Sequence, residues 1–209
     1  MSSQVIEYCL FQPGLLLDYL TPPGTPGLTS TQELWIDFDK RRAIKLEGKE
    51  GVFTGTRMDD IANFVVQAIG YAGEWPTIGG IHRTRLTDAQ LIEIVAKIHH
   101  AYPSFILQNH ESGSLTCGNR WRTTRCYYTI LKEEDVRADI IKSPWIPEFV
   151  ASEFTAEQNE FFSKLILKGC LLSGLCQSWV VSDEWNCLLP DYKFTDAEEF
   201  LLNSWAGKA

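Results

Sequence analysis

Two residues match a pattern that can carry proton transfer. Tyr128 and Lys132 are four positions apart, and a lysine ammonium held near a tyrosine hydroxyl lowers the pKa of the phenol, which can then exchange a proton with a substrate. A pattern with only two fixed positions arises readily by chance in a chain of 209 residues. We therefore expect the match to be a coincidence and predict no catalytic residue.

Three tryptophans, Trp145, Trp179 and Trp185, are the next candidates for a functional role. Large aromatic side chains can wall a substrate pocket, because ligand sites are mostly apolar with a few polar groups. The same side chains also pack protein cores. Core packing is the commoner role, and the pocket remains the alternative.

The titratable residues give no clear acid-base pair. Asp183 and Glu184 are adjacent, and neighbouring side chains of an extended chain point to opposite faces, so we expect a solvated turn or an ion pair. His99 and His100 lie near the end of a predicted helix, where positive charge is favoured. A capping or solvated role is therefore expected for both histidines.

The cysteines do not form a metal-binding pattern. Six of them are present, with no Cys-x-x-Cys pair and no histidine at zinc-ligand spacing. We predict no metal site, and reduced, mostly buried thiols.

Composition narrows the class of protein. With 44% hydrophobic residues the chain can bury a sizeable core. A net charge of -8 opposes binding to nucleic acid, which depends on clustered Lys and Arg. The first apolar stretch is interrupted by Gln12, Pro13 and Asp18, so it fits neither a signal peptide nor a membrane span. We expect a cytoplasmic protein that binds a small molecule or another protein.

Short strands and capped helices alternate along the chain. Strands are predicted at residues 5–11, 34–38, 43–46 and 77–81, the middle two as a hairpin or a closely spaced pair. Residues 21–31 have the Pro and Gly content of a loop. Four helices are predicted to begin at Thr56, Thr87, Thr155 and Thr195, each followed three residues later by Asp, Gln or Glu. This alternation predicts an α/β fold, with few strands for a complete doubly wound sheet.

One segment departs from the acidic character of the chain. Residues 108–125 are polar and contain glycine, with Arg120, Arg122 and Arg125 and no acidic residue after Glu111. The segment is predicted to be an insertion or an irregular loop. A genuine loop and non-coding sequence read as protein both explain it.

Three stretches resemble one family. Residues 6–19, Ile-Glu-Tyr-Cys-Leu-Phe-Gln-Pro-Gly-Leu-Leu-Leu-Asp-Tyr, resemble a late Rossmann strand and the following turn of fungal NmrA-like proteins, which are atypical short-chain dehydrogenases/reductases related to isoflavone reductase-like enzymes. Residues 56–62 and 179–195 resemble a helix and the tail of the same group. The resemblance covers most of the chain, and it places Tyr128 and Lys132 on the wrong side of the Pro-Gly turn for the family's catalytic pair.

The resemblance implies a site. In the family the Pro-Gly turn lies beside the nicotinamide of NAD or NADP, which makes Gln12, Pro13 and Gly14 candidates for the cofactor edge; an isolated Pro-Gly pair is otherwise simply a turn. The candidates for a substrate pocket are Leu16, Tyr19, Trp145, Trp179 and Trp185.

The sequence lacks the glycine fingerprint that would hold the cofactor phosphates. Gly48, Gly51 and Gly55 have the wrong spacing, and no dinucleotide pattern follows Gly79 and Gly80. We therefore interpret residues 1–209 as one incomplete, Rossmann-like NmrA-like domain, the C-terminal substrate side. A further segment on the order of 100 to 150 residues is expected before Met1, and the chain alone is expected to bind no cofactor.

Three functions are consistent with these features. The first is the substrate-binding half of an NAD(P)-dependent reductase for a small apolar or aromatic substrate, inactive as this fragment. The second is a non-catalytic regulatory protein that senses dinucleotides and contacts a partner protein. The third is a nonfunctional remnant, since a parallel sheet without its early strands exposes apolar faces and strand edges.

Overall fold

The computed structural model describes residues 8–25, 34–101, 126–149 and 153–208. The predicted insertion at 108–125 and part of the predicted loop at 21–31 lie outside these ranges. The strands are β1 Leu10–Gln12, β2 Leu15–Leu16, β3 Ile36–Asp37, β4 Arg42–Leu46, β5 Val52–Thr56, β6 Ile78–Gly80, β7 Thr84–Thr87 and β8 Tyr127–Leu131. The helices are α1 Met58–Ile69, α2 Asp88–Ala101, α3 Glu133–Arg137, α4 Ala156–Leu175, α5 Glu184–Leu188 and α6 Ala197–Trp205, and a 3₁₀ helix spans Leu17–Leu20.

The strands form three small sheets with both parallel and antiparallel pairs. β1 pairs in parallel with β6, and β5 lies between a parallel β2 and an antiparallel β7. β3 and β4 form an antiparallel hairpin, one of the two predicted arrangements, and β8 joins β4 in parallel. The described chain is therefore mixed α/β, as predicted. It has six α-helices where four were expected, because the short helices α3 and α5 were not predicted.

Two predicted helix starts are confirmed as capping boxes. At α2, the Thr87 hydroxyl accepts from the Gln90 amide at 3.2 Å, and the Gln90 side chain accepts from the Thr87 amide at 2.9 Å. Thr155 and Gln158 form the same reciprocal pair at α4, at 3.3 and 2.9 Å. Each box satisfies two backbone groups that would otherwise lack a partner in the first turn.

The other two predicted starts are wrong in position. Thr56 ends β5, where its hydroxyl donates to the Ile81 carbonyl oxygen, and α1 begins after Arg57. The cap of α6 is Asp196, because Thr195 is bound to the buried Asp60 carboxylate through both its amide and its hydroxyl. In both cases a tertiary hydrogen bond holds the threonine that a local pattern had assigned to the helix.

Two clusters of buried side chains stabilise the fold. The larger cluster lies among β3, β4, β5 and helices α2, α4 and α6, with Trp35, Phe38, Phe53 and Trp205 as its large aromatic members. The smaller cluster comprises Phe64, Ala68, Ile81, Trp185 and Phe194. This second cluster lies under β1 and β6, and it connects α1 and α5 to that strand pair.

His99 contradicts the expectation of a solvated or capping histidine. The side chain is buried, and its Nε2 lies 2.6 Å from the Phe38 carbonyl oxygen. Because a carbonyl oxygen can only accept, Nε2 carries a hydrogen and donates it. The helical pattern correctly placed His99 at the end of α2, but it could not show that the turn after β3 covers this residue. The side chain of His100 lies outside the described part of the structure.

Burial of His99 predicts a loss of stability in mild acid. Desolvation lowers the pKa of His99 below its ordinary 6.5, although the hydrogen bond to Phe38 acts in the opposite direction. The unfolded chain therefore binds the proton more tightly, so the contribution to stability is present above 6.5 and is lost as the pH falls toward the folded pKa. Urea unfolding at pH 7.5 and 5.5, about one unit either side of the ordinary value, measures this effect. Between these two pH values the free energy of unfolding should decrease more in wild type than in His99→Gln. Equal changes in both proteins would contradict this account.

Candidate functional site

The turn formed by Gln12, Pro13 and Gly14 lies at the carboxyl end of the parallel pair β1 and β6. Gln12 aligns with Gly80, and the Ile81 amide donates to the Gln12 carbonyl oxygen at 3.0 Å. Gln12 is exposed, whereas Pro13 and Gly14 are half-buried. Ligands of open α/β sheets bind beyond the carboxyl ends of parallel strands. The turn therefore lies at an edge where a ligand can bind.

Glycine is required at position 14 for two separate reasons. Its φ of 71° lies in the left-handed region, which other residues rarely adopt. A Cβ added there would also collide with the Thr54 carbonyl oxygen in β5. The turn therefore packs backbone against backbone, and this contact fixes its position relative to β5.

The glycine pair in β6 has a packing role instead. A Cβ on Gly79 would overlap the indole of Trp185, and one on Gly80 would overlap the backbone of Ser182. The Gly80 amide also donates to the Glu184 carboxylate at 3.0 Å, and the backbone and side-chain hydrogen bonds that Glu184 accepts lower its pKa. Both glycines allow the α5 segment to lie directly on the strand.

Three helices in the described ranges directly follow a strand, and acidic side chains lie at each of their N-termini. At α1 the Asp18 carboxylate accepts from the Met58 amide at 2.7 Å. At α2 the Thr87 box is joined by Glu50, which accepts from the Ala89 amide at 2.7 Å. The first turn of α3 carries three acidic residues, Glu133, Glu134 and Asp135. Carboxylates in these places oppose the binding of a pyrophosphate, which needs free amides and little negative charge.

Leu16 and Tyr19 follow the turn directly. Leu16 lies in β2, aligned with Thr56 of β5, and Tyr19 lies in the 3₁₀ helix. Both side chains are half-buried, and Tyr19 packs against the larger core cluster. Each therefore keeps part of its apolar surface exposed on the segment that follows the Gln12 turn.

The three candidate tryptophans lie in different places. Trp179 stacks on Trp35 with ring centroids 5.7 Å apart, at the border of the larger cluster. Trp145 is half-buried beneath the Arg42 guanidinium, whose carbon is 4.2 Å from the ring centroid. Trp185 is fully buried in the smaller cluster. Trp185 is therefore separated from the other two, which pack against a different cluster.

Trp185 packs against the strand that leads into the Gln12 turn. Its ring stacks on Phe11 of β1 at 5.3 Å, one residue before Gln12. Its Nε1 donates to the Cys9 sulfur at 3.1 Å, so the one polar atom of the indole has a partner. The side chain thus joins α5 to the strand that carries the turn.

Tyr128 and Lys132 have separate environments. Tyr128 lies in β8, aligned with Ala43, and packs against the larger cluster. Lys132 is exposed and precedes α3. Packing at Tyr128 and solvation at Lys132 account for both residues without proton transfer.

The described cysteines are less uniformly buried than predicted. Cys170 is buried, but Cys176 and Cys187 are exposed, and Cys9 and Cys126 are intermediate. Burial raises the pKa of both Cys126 and Cys170 to about 12, so neither is a reactive thiolate near neutral pH. In the part of the chain that the structure describes, no group of three or more His, Cys, Asp or Glu side chains could hold a metal ion.

An open cleft of about 390 Å³ lies immediately beyond β6. It is lined by His82, Arg83, Arg85, Val181, Ser182 and Asp183. This cleft was not predicted from the sequence, although the run His-Arg-Thr-Arg in an acidic chain was a visible signal. Its position next to Ile81 makes it a neighbour of the Gln12 turn.

Membrane insertion and known relatives give no further guide to function. Within the described ranges, no helix has the length and apolar character needed to cross a membrane. The NmrA-like resemblance depends on the three sequence stretches alone. No family model matches the chain, and neither a curated protein nor a solved structure matches it.

Proposed function

We propose that this chain is the substrate-binding part of an NmrA-like, NAD(P)-dependent reductase that acts in the cytoplasm on a small apolar or aromatic substrate. The observation that carries the proposal is the turn at Gln12, Pro13 and Gly14. It combines a left-handed glycine, a close backbone contact with β5 and a position at the carboxyl ends of two parallel strands.

In this proposal the nicotinamide ring lies against the turn. The contact between Gly14 and Thr54 fixes the backbone of the turn, so a flat ring can lie only on the side of the turn that faces away from β5. There the exposed side-chain amide of Gln12 can bind the carboxamide of the nicotinamide. Leu16 and Tyr19 then contact the substrate, since they leave the turn with apolar surface still open. Trp185 contributes by supporting β1.

The same proposal makes the chain inactive alone. Hydride transfer requires a held nicotinamide, and the strand-to-helix junctions in the described ranges carry carboxylates where phosphates would bind. We therefore propose that NADP or NAD is the cofactor of the complete enzyme and that this chain supplies only the nicotinamide edge.

Mapping the binding of reduced nicotinamide riboside by NMR tests this proposal. The probe carries the nicotinamide ring and one ribose but no phosphate, so it isolates the proposed edge. We expect millimolar probe to shift the amide signals of Gln12, Gly14 and Ile81 because these groups border the turn. Adenosine is the control, since it has a ribose and a flat ring but no carboxamide. Absence of these shifts, or equal shifts with adenosine, would contradict the proposal.

A further inference from the structure

Two arginines lie at the beginning of the edge strand β7. Arg83 immediately precedes the strand and Arg85 lies within it, while Leu86 is buried. Both arginines are exposed, and both line the same cleft.

The backbone beside these arginines is held rigidly. The His82 amide donates to the Asn186 side-chain oxygen at 3.0 Å, and the Asn186 side-chain nitrogen donates back to the His82 carbonyl oxygen at 2.8 Å. His82 Nδ1 lies 3.2 Å from the Ser182 carbonyl oxygen and donates to it. These hydrogen bonds fix the segment that precedes Arg83 to α5.

The opposite wall of the cleft is held as firmly. The Val181 amide donates to the Thr54 hydroxyl at 3.2 Å, and the Thr54 amide donates to the Trp179 carbonyl oxygen at 2.9 Å. The segment that carries Ser182 and Asp183 is thus tied to the central strand β5. A cleft with two fixed walls is preorganised for a ligand.

The charges of the cleft favour an anion. Within the described ranges, neither Arg83 nor Arg85 forms an ion pair, and Asp183 is the one carboxylate that lines the cleft. Glu184 nearby already accepts the Gly80 amide. Guanidinium groups bind carboxylates and phosphates through paired hydrogen bonds, and the cleft volume of about 390 Å³ fits a small molecule.

We propose that this cleft binds the carboxylate or phosphate group of a small-molecule ligand through Arg83 and Arg85. Identifying that ligand as the substrate rests on the proposed function, because Ile81 joins the cleft to the Gln12 turn. The substrate class is then an aromatic or apolar molecule with one acidic group. The acid binds at β7, and the apolar part extends toward Gly14.

Three probes of similar shape test the inference: benzoate, phenyl phosphate and benzamide. NMR titration of the full chain should show benzoate or phenyl phosphate binding at residues 82–85, and the stronger of the two identifies the acidic group. Benzamide is neutral and should bind at least about tenfold more weakly. The double variant Arg83→Gln/Arg85→Gln should lose about tenfold or more in affinity for the anion. Lys142→Gln/Lys208→Gln makes the same charge change at two exposed residues and should bind as wild type does.

Asp183→Asn provides a test in the opposite direction. Removing the carboxylate from the cleft wall should tighten anion binding and leave benzamide unaffected. The inference is overturned if neither anion binds, if benzamide binds equally, if the arginine variant retains wild-type affinity, or if Asp183→Asn weakens the anion. Reduced nicotinamide riboside should still shift the amide signals of Gln12 and Gly14 in the arginine variant. If the anion binds but the riboside does not, the result supports the anion site in the cleft and contradicts the proposed reductase function.

Discussion

Replacing Trp185 by alanine is expected to lower the free energy of unfolding by about 3–5 kcal/mol, the usual cost of removing a fully buried tryptophan. The indole contacts Phe11, Phe64, Tyr71 and Trp75 at ring centroid distances of 5.3 to 6.0 Å. Its removal leaves a cavity under β1 and detaches α5 from that strand. Urea unfolding followed by circular dichroism measures the loss.

Trp185→Phe is the matched control for this prediction. Phenylalanine retains most of the ring contacts but loses the hydrogen bond to Cys9, so a much smaller loss is expected. If Trp185→Ala left stability unchanged and only weakened ligand binding, Trp185 would be a pocket residue and the packing described above would be wrong.

The second large effect is expected for Gly14→Ala. A left-handed backbone at a residue with a side chain costs about 1–2 kcal/mol, and overpacking against Thr54 adds about 1–3 kcal/mol. The total expected loss in the free energy of unfolding is therefore about 2–5 kcal/mol. The variant should also lose the riboside-induced shifts at the turn, because the added methyl group displaces the backbone that borders the ring.

Gly24→Ala separates the two costs at Gly14. Gly24 has a similar φ of 77°, but an added Cβ would have no neighbour within 4 Å. The Gly24→Ala variant should lose only about 1–2 kcal/mol in the free energy of unfolding, which is the cost of the left-handed backbone. Equal losses in the two variants would show that the contact with Thr54 is not tight, and the turn would then not be fixed by β5.

Local patterns in the sequence were sufficient for several elements. The capping boxes at Thr87 and Thr155 need only residues within one turn of helix, so the sequence contains all of their partners. The hairpin of β3 and β4 is equally local, because its strands are joined by a short turn with Arg41 at a φ of 52°. These predictions needed no knowledge of the tertiary structure.

Strand β5 shows why other elements were not predicted. Its sequence, Val-Phe-Thr-Gly-Thr, has two strongly apolar residues and no alternation, yet four of its five residues are buried. Thr54 is buried because its hydroxyl accepts the Val181 amide, 127 positions along the chain. Gly55 leaves room for Leu17. Such burial depends on partners that a local window does not contain.

Only part of the candidate site was predicted from the sequence. The turn at Gln12, Pro13 and Gly14 was visible because Pro-Gly is a strong local signal. The cleft at Arg83 and Arg85 was missed because its other wall, Ser182 and Asp183, is about a hundred positions away in sequence. The three tryptophans are equally visible in the sequence, but Trp145 and Trp179 pack against the larger cluster and Trp185 lies in the smaller one.

Calorimetric titration of the purified chain with NADPH tests the central claim most directly. We propose that the chain carries a nicotinamide edge, while the strand-to-helix junctions in its described ranges carry carboxylates where pyrophosphate would bind. We therefore predict a dissociation constant of about 1 mM or weaker, no more than about 4 kcal/mol of binding free energy. A micromolar constant would mean that the chain does hold the phosphates and would contradict the account.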